Sequence, residues 1–112
     1  MNKLITNYNV KTHVVILGEG ITSRADNRDV NLWKDELKTH RRNIAKAQKI
    51  IGYHTVSIYD FPDNRFDTVA LLDIVKVIEK EKQKFAPDAI FTHHGGDLNV
   101  DHRLTFDAVV TA

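Results

Sequence analysis

Short apolar runs alternate with longer amphipathic segments along this chain, and that alternation limits its possible folds more than any other feature. Thr12-His13-Val14-Val15-Ile16-Leu17 is a β-branched run stopped by Gly18-Glu19-Gly20, the pattern of a strand buried on both faces. From about 29 to 51, Val30, Trp33, Leu37, Ile44, Ala47 and Ile51 recur at spacings of three, four and seven. That spacing predicts an amphipathic helix closed by Gly52 at its C-cap. His40 completes the same stripe and is expected as a packed or half-exposed helix residue. His54 to Tyr59 alternates and predicts a second strand, ended by Asp60-Phe61-Pro62-Asp63-Asn64. A second helix is expected to start at Phe66-Asp67-Thr68, with Asp67 or Thr68 as cap and Val69, Leu72, Val75 and Ile78 facing inward. Its last turn, Glu79 to Lys84, is a charge run and is expected to be solvated. Pro87 breaks the helix, and Asp88-Ala89-Ile90-Phe91-Thr92 predicts a third strand. A loop from His93 to Asp101 follows, then a helix from His102 or Arg103 onward.

Strand, helix, strand, helix, strand predicts parallel strands joined by right-handed crossovers. The expected fold class is therefore α/β, a Rossmann-like three-layer α/β/α arrangement with a mostly parallel sheet, in a single domain spanning 1–112. Ligands of such sheets gather beyond the carboxyl ends of the strands. The three ends, Gly18–Arg24, Asp60–Arg65 and His93–Arg103, are all polar, which points to one shared site above the sheet.

Composition narrows the partners. Sixteen Lys and Arg balance fifteen Asp and Glu to a net charge of +1, and the two signs are interleaved, so nucleic-acid binding by bulk charge is not expected. No uninterrupted apolar stretch exceeds the four residues of Val14 to Leu17, so no membrane span is expected. The chain opens with no basic, apolar, small-residue leader. The absence of cysteine excludes a disulfide scaffold, a thiol nucleophile and any cysteine zinc site. The cytoplasm is the expected location, and a homo-oligomer is compatible with all of this.

The densest chemistry is His93-His94-Gly95-Gly96-Asp97-Leu98-Asn99-Val100-Asp101-His102-Arg103. Three imidazoles, two carboxylates, an amide and a guanidinium stand beside two glycines that let the backbone fold tightly. Neutral imidazole and carboxylate are the ligands of zinc or a similar divalent ion when cysteine is absent. An Asp beside a His also suits a carboxylate that orients a metal-bound ring. The plainer alternative is a polar turn whose Asp97 and Asn99 cap the following helix. An EF-hand is excluded, because the glycine and glutamate its loop requires are replaced by His102 and Ala108. Gly18-Glu19-Gly20-Ile21-Thr22-Ser23-Arg24 either presents backbone N–H groups and Arg24 to an anion or simply turns the chain; it is not a dinucleotide fingerprint.

Gly96-Asp97-Leu98-Asn99-Val100-Asp101-His102-Arg103, together with Thr92-His93 and the Leu17 to Arg24 segment, resembles the GlcNAc-phosphatidylinositol de-N-acetylase-like proteins, the LmbE or PIG-L deacetylases. The resemblance covers nearly the whole chain in order and spacing. It implies a zinc-dependent hydrolase (another divalent metal is an option) that removes the acetyl group from an N-acetylated, N-acetylglucosamine-type sugar or glycoconjugate, with metal-activated water attacking the amide. By the same resemblance His102 is a metal ligand, and Asp101 supports a metal-bound or catalytic ring. The role of a further family histidine falls where this chain has Asn99, and is expected to pass to His93 or His94. Arg24 is expected at the substrate, with Glu19, Asp97 and Arg103 around it. The family's first motif, His-Pro-Asp-Asp-Glu, holds the other two zinc ligands and the general base, and it occurs nowhere in these 112 residues. The chain is accordingly expected to be a partial deacetylase domain lacking the family's first strand, an internal piece or the product of a late start, and inactive alone. The alternative is a non-catalytic α/β module that binds a sugar or nucleotide with a partner chain.

Overall fold

The computed structural model describes all residues, Met1–Ala112, and they form an α/β arrangement of four helices and a two-stranded parallel sheet, a partial Rossmann-like fold. The chain divides into two compact units, Met1–Pro62 and Asp63–Ala112.

The first unit is a strand–helix–strand crossover preceded by a short helix, α1 (Asn2–Tyr8). Strand β1 (His13–Gly18) pairs with β2 (Thr55–Phe61) in parallel, from His13 opposite Thr55 to Gly18 opposite Phe61, with an irregularity between Ile16 and Gly18. Of the β1 side chains only Leu17 is buried; the others are half-buried, contrary to a strand covered on both faces. A sheet two strands wide leaves each strand with one open edge, and that edge admits water to side chains which a wider sheet would enclose. Helix α2 (Lys34–Ile51) forms the crossover and starts several residues later than the apolar stripe predicts. Asp29 Oδ1 accepts from the N–H groups of Asn31 and Leu32, which holds the chain in a turn there and leaves Val30 exposed. The helix ends as expected, with Gly52 at φ 88° giving its N–H to the Gln48 carbonyl. Ile44 is its buried anchor, and its carbonyl accepts from the Tyr53 hydroxyl.

The second unit opens with a single 3-10 turn, Phe66–Thr68, and continues into α3 (Leu71–Phe85) and α4 (Val100–Thr111). Asp67 and Thr68 lie in that turn and do not cap α3, whose N-cap is Ala70. Burial of Phe66 fixes the turn, so the helix starts one turn late and its inner face rotates. Ile74, Val75, Ile78 and Glu81 are buried, whereas Leu72 is 62% exposed. The burial of Glu81 also corrects the picture of a fully solvated charge run. Ile74 and Ala108 are both fully buried where α3 packs on α4, the alanine being small enough to bring the helices close.

The predicted third strand does not form. Residues 88–92 carry no ladder, and Phe91 and Ile90 are 87% and 45% exposed. Their β-branched and aromatic composition describes fitness for a pleated surface, but a strand exists only as one side of a pair.

Candidate functional site

The head of α4 builds the cluster. Asn99 is the N-cap, and its Oδ1 accepts from the N–H groups of Asp101 (2.9 Å) and His102 (3.4 Å). These bonds satisfy donors that a helix start otherwise leaves unpaired. The helix therefore begins at Val100, earlier than predicted, and places Asp101 and His102 in its first turn. The preceding loop is cross-braced. Asp97 Oδ1 accepts from the Asn99 N–H at 2.8 Å, and Arg103 Nη1 donates to the carbonyls of Asp97 and Leu98, both at 2.8 Å. Gly95 lies directly on α4: a Cβ there would stand 2.7 Å from the Phe106 ring, so only glycine permits this approach.

With the loop braced, three side chains converge. His102 Nδ1–H donates to Asp97 Oδ2 at 3.1 Å. The His93 ring stacks on that of His102, with centroids 3.9 Å apart and planes 2° from parallel. One donor atom from each of His93, Asp97 and His102 lies within 4.8 Å of the others. The Asn99 N–H, and after it His102, hold the Asp97 carboxyl below the usual carboxylate range. Burial, and then the neighbouring His102, push the His93 imidazole down, with Asp97 opposing. The contribution of His93 to stability is therefore complete above the ordinary imidazole value of about 6.5 and is lost as pH falls through the lower folded value. An NMR titration of its ring protons should show a midpoint below that value, and His93→Asn should flatten the stability profile across the same range.

The family model for PIG-L, GlcNAc-PI de-N-acetylase, matches residues 1–112. The chain belongs to the PIG-L family. No curated protein and no solved structure matches it. Within this PIG-L chain the structure brings His93, Asp97 and His102 together and disperses the other candidates. The ring partner of His102 is Asp97, five residues earlier, and not the adjacent Asp101. Asp101 instead accepts from the backbone N–H groups of Asn64 (2.6 Å) and Phe66 (3.0 Å). Its carboxyl is pushed up by burial, against the pull of those two hydrogen bonds. His94 is exposed, and its Nδ1 accepts from the Gly96 N–H at 3.0 Å. Asn99 and Arg103 brace the loop, as described.

The remaining candidates lie in the first unit. Glu19 is buried, accepts from Thr22 Oγ1, and receives Nε and Nη2 of Arg28 at 2.8 and 3.1 Å. Arg24 ends a 3-10 turn and is exposed. Glu19, Arg28, Leu37, His40, Ile44 and Asp60 contribute to a small pocket of about 90 Å³ at the carboxyl ends of β1 and β2. Sequence reasoning missed two residues, Arg28 and Asn64. Arg28 lies nine residues beyond Glu19, and nothing in the sequence separates it from Arg24 as the partner of that carboxylate. Asn64, whose Oδ1 accepts from Asn99 Nδ2 at 2.8 Å, carries no local signal, because its partner lies far along the chain.

No helix is long and apolar enough to cross a membrane.

Proposed function

We propose that this PIG-L chain is a partial deacetylase domain, spanning 1–112, for zinc-dependent removal of the acetyl group from an N-acetylglucosamine-type sugar. The observation that carries the reading is the placement of His102, the residue matching the family's metal ligand, at the head of α4 with its ring oriented by Asp97. His102 would hold the ion, its ring oriented by Asp97 and stacked on His93, and an imidazole backed by a carboxylate with no competing thiol suits a divalent ion. When bound, the ion supplies Lewis acidity, polarising the amide carbonyl and making water nucleophilic near neutral pH.

The protein groups then divide the work. Asp97 fixes the tautomer of His102 by accepting from Nδ1, which leaves Nε2 with a lone pair. His94 takes the role of the missing family histidine: accepting at Nδ1 from Gly96 places the proton of the neutral ring on Nε2. That N–H is free to donate to the developing oxyanion or the departing amine. Asn99 and Asp101 position the helix, and Arg103 braces the loop through the carbonyls of Asp97 and Leu98. Glu19 is committed to Arg28 and holds the loop after β1 in place. No His-Pro-Asp-Asp-Glu carboxylate is present among these residues to act as general base, so the 112-residue chain alone should release no acetate.

Adding an N-acetylglucosamine glycoside to the zinc-loaded chain should shift the backbone NMR signals of residues 93–103. An unchanged spectrum would sink the deacetylase reading, and acetate release by the chain alone would refute its expected inactivity. The missing carboxylate also sustains the second reading, a sugar-binding module without turnover. Supplying a family segment that bears His-Pro-Asp-Asp-Glu in trans separates the two: acetate release marks a deacetylase, and binding without release marks the module.

A further inference from the structure

We propose that the open edge of β1 is an interface for a second copy of this chain, which lays its own residues 88–92 along that edge as an added strand. Reciprocal exchange of the two segments closes a two-fold dimer. The proposal is independent of the deacetylase reading, since it uses neither the histidine cluster nor a sugar. It rests on an edge without a strand and a strand without an edge, both in one sequence.

β1 offers the edge. The Thr12 carbonyl accepts from the Thr55 N–H, and the parallel register then turns the backbone groups of Thr12, Val14 and Ile16 toward β2. Both backbone groups of a residue in a parallel strand point to one side, and the side alternates along the chain. The N–H and C=O of Val15 and Leu17 therefore point away from β2. The sheet has no third strand to receive them, and neither residue is bonded outside the ladder with β2. The strand carries four consecutive aliphatic residues, Val14 to Leu17, whereas β2 carries Asp60. A charged residue on an edge resists pairing, so β1 is the edge that accepts a strand.

Residues 88–92 supply the strand. They carry no ladder of their own, although Ile90, Phe91 and Thr92 suit a pleated surface. Charge selects the direction of pairing. Lys11 stands just before β1 and Asp88 opens the segment; both are exposed, and neither has an ion-pair partner. A parallel alignment sets Asp88 at the Lys11 end and runs Ile90 and Phe91 beside Val14, Val15 and Ile16. An antiparallel alignment would set Asp88 at the Glu19 end, carboxylate against carboxylate, which is unfavourable across strands. Each chain owns one open edge and one unpaired segment, so two copies satisfy both needs at once. That reciprocity, with the matched charges, singles out a second copy over a foreign strand.

Analytical ultracentrifugation of the full chain over a range of concentrations tests this. The expected result is the mass of two chains at high concentration and of one on dilution. Amide exchange at Val15, Leu17 and residues 90–92 should slow only where the dimer forms. Phe91→Lys should raise the dissociation constant by about tenfold or more, because it places a charge inside the pairing twice per dimer. Ile50→Lys, a comparably exposed position on α2, should leave the constant unchanged. Both side chains are largely exposed, so the fold survives either change, and circular dichroism verifies it. Lys11→Glu and Asp88→Lys should each weaken self-association by about tenfold, through two like-charge contacts per dimer. Mixing those two variants should restore the wild-type affinity, because every contact between the unlike chains then joins opposite charges. Three results overturn the proposal: a wild type that stays monomeric, a dimer indifferent to Phe91→Lys, or charge-reversed variants that mixing does not rescue. A monomer whose residues 88–92 are nonetheless protected would place the segment on its own chain and reject the second copy. Equal weakening by Ile50→Lys would reduce the association to general stickiness and reject it as well.

Discussion

Ile74→Ala is expected to destabilise the chain by about 2–5 kcal/mol, the range for truncating a fully buried isoleucine. The cost combines lost transfer energy with the cavity left where Ile74 is sealed from water. The second unit comprises only residues 63–112, and domains of that size have little stability in reserve. Urea unfolding should show a lower midpoint with an unchanged slope. Leu72→Ala on the same helix should change stability by no more than about 0.5 kcal/mol, because Leu72 is largely exposed. If the two substitutions cost the same, the observed rotation of α3 is wrong.

Asp101→Ala should cost about 1–3 kcal/mol, since it strips the acceptor from two backbone donors. Most of that arises at Phe66, a buried residue, and less at the exposed Asn64. Asp101→Asn retains one acceptor oxygen and should be milder. The pH dependence has a definite sign. Burial raises the folded carboxyl above its unfolded value. Its contribution to stability is therefore complete below the ordinary carboxylate value of about 3.9 and is lost as pH rises through the raised folded value. The advantage of the wild type over Asp101→Asn should thus widen between pH 7 and pH 4. An advantage that narrows on acidification would show that the two backbone hydrogen bonds outweigh burial.

Both substitutions mark where local reading stops. The α3 stripe was legible as a helix, yet its inner face differs from the predicted one because burial of Phe66 imposes a 3-10 turn before it. Periodicity gives a helix its pitch but not its rotation about its axis. The histidine-rich loop was legible as the densest group of donor side chains, and the structure brings three of them, His93, Asp97 and His102, together. Proximity in sequence favoured Asp101 as the partner of His102, but in the first turn of a helix consecutive side chains diverge by about 100°. Asp97 reaches the ring because the loop folds back over the helix start.

What the sequence determined without help is the set of elements with their own short-range logic. β1, β2, the Gly52 cap of α2, the break at Pro87 and membership of the PIG-L family all rest on residues close together in the chain. The tertiary structure decided whatever needs a distant partner. Residues 88–92 remain unpaired despite strand-like composition, Glu19 is held by Arg28, Asp101 turns to the Asn64–Phe66 backbone, and Asp97 meets His102 and His93. Propensity is a property of a segment, whereas a ladder, an ion pair or a ligand set exists only when two segments occupy the same place.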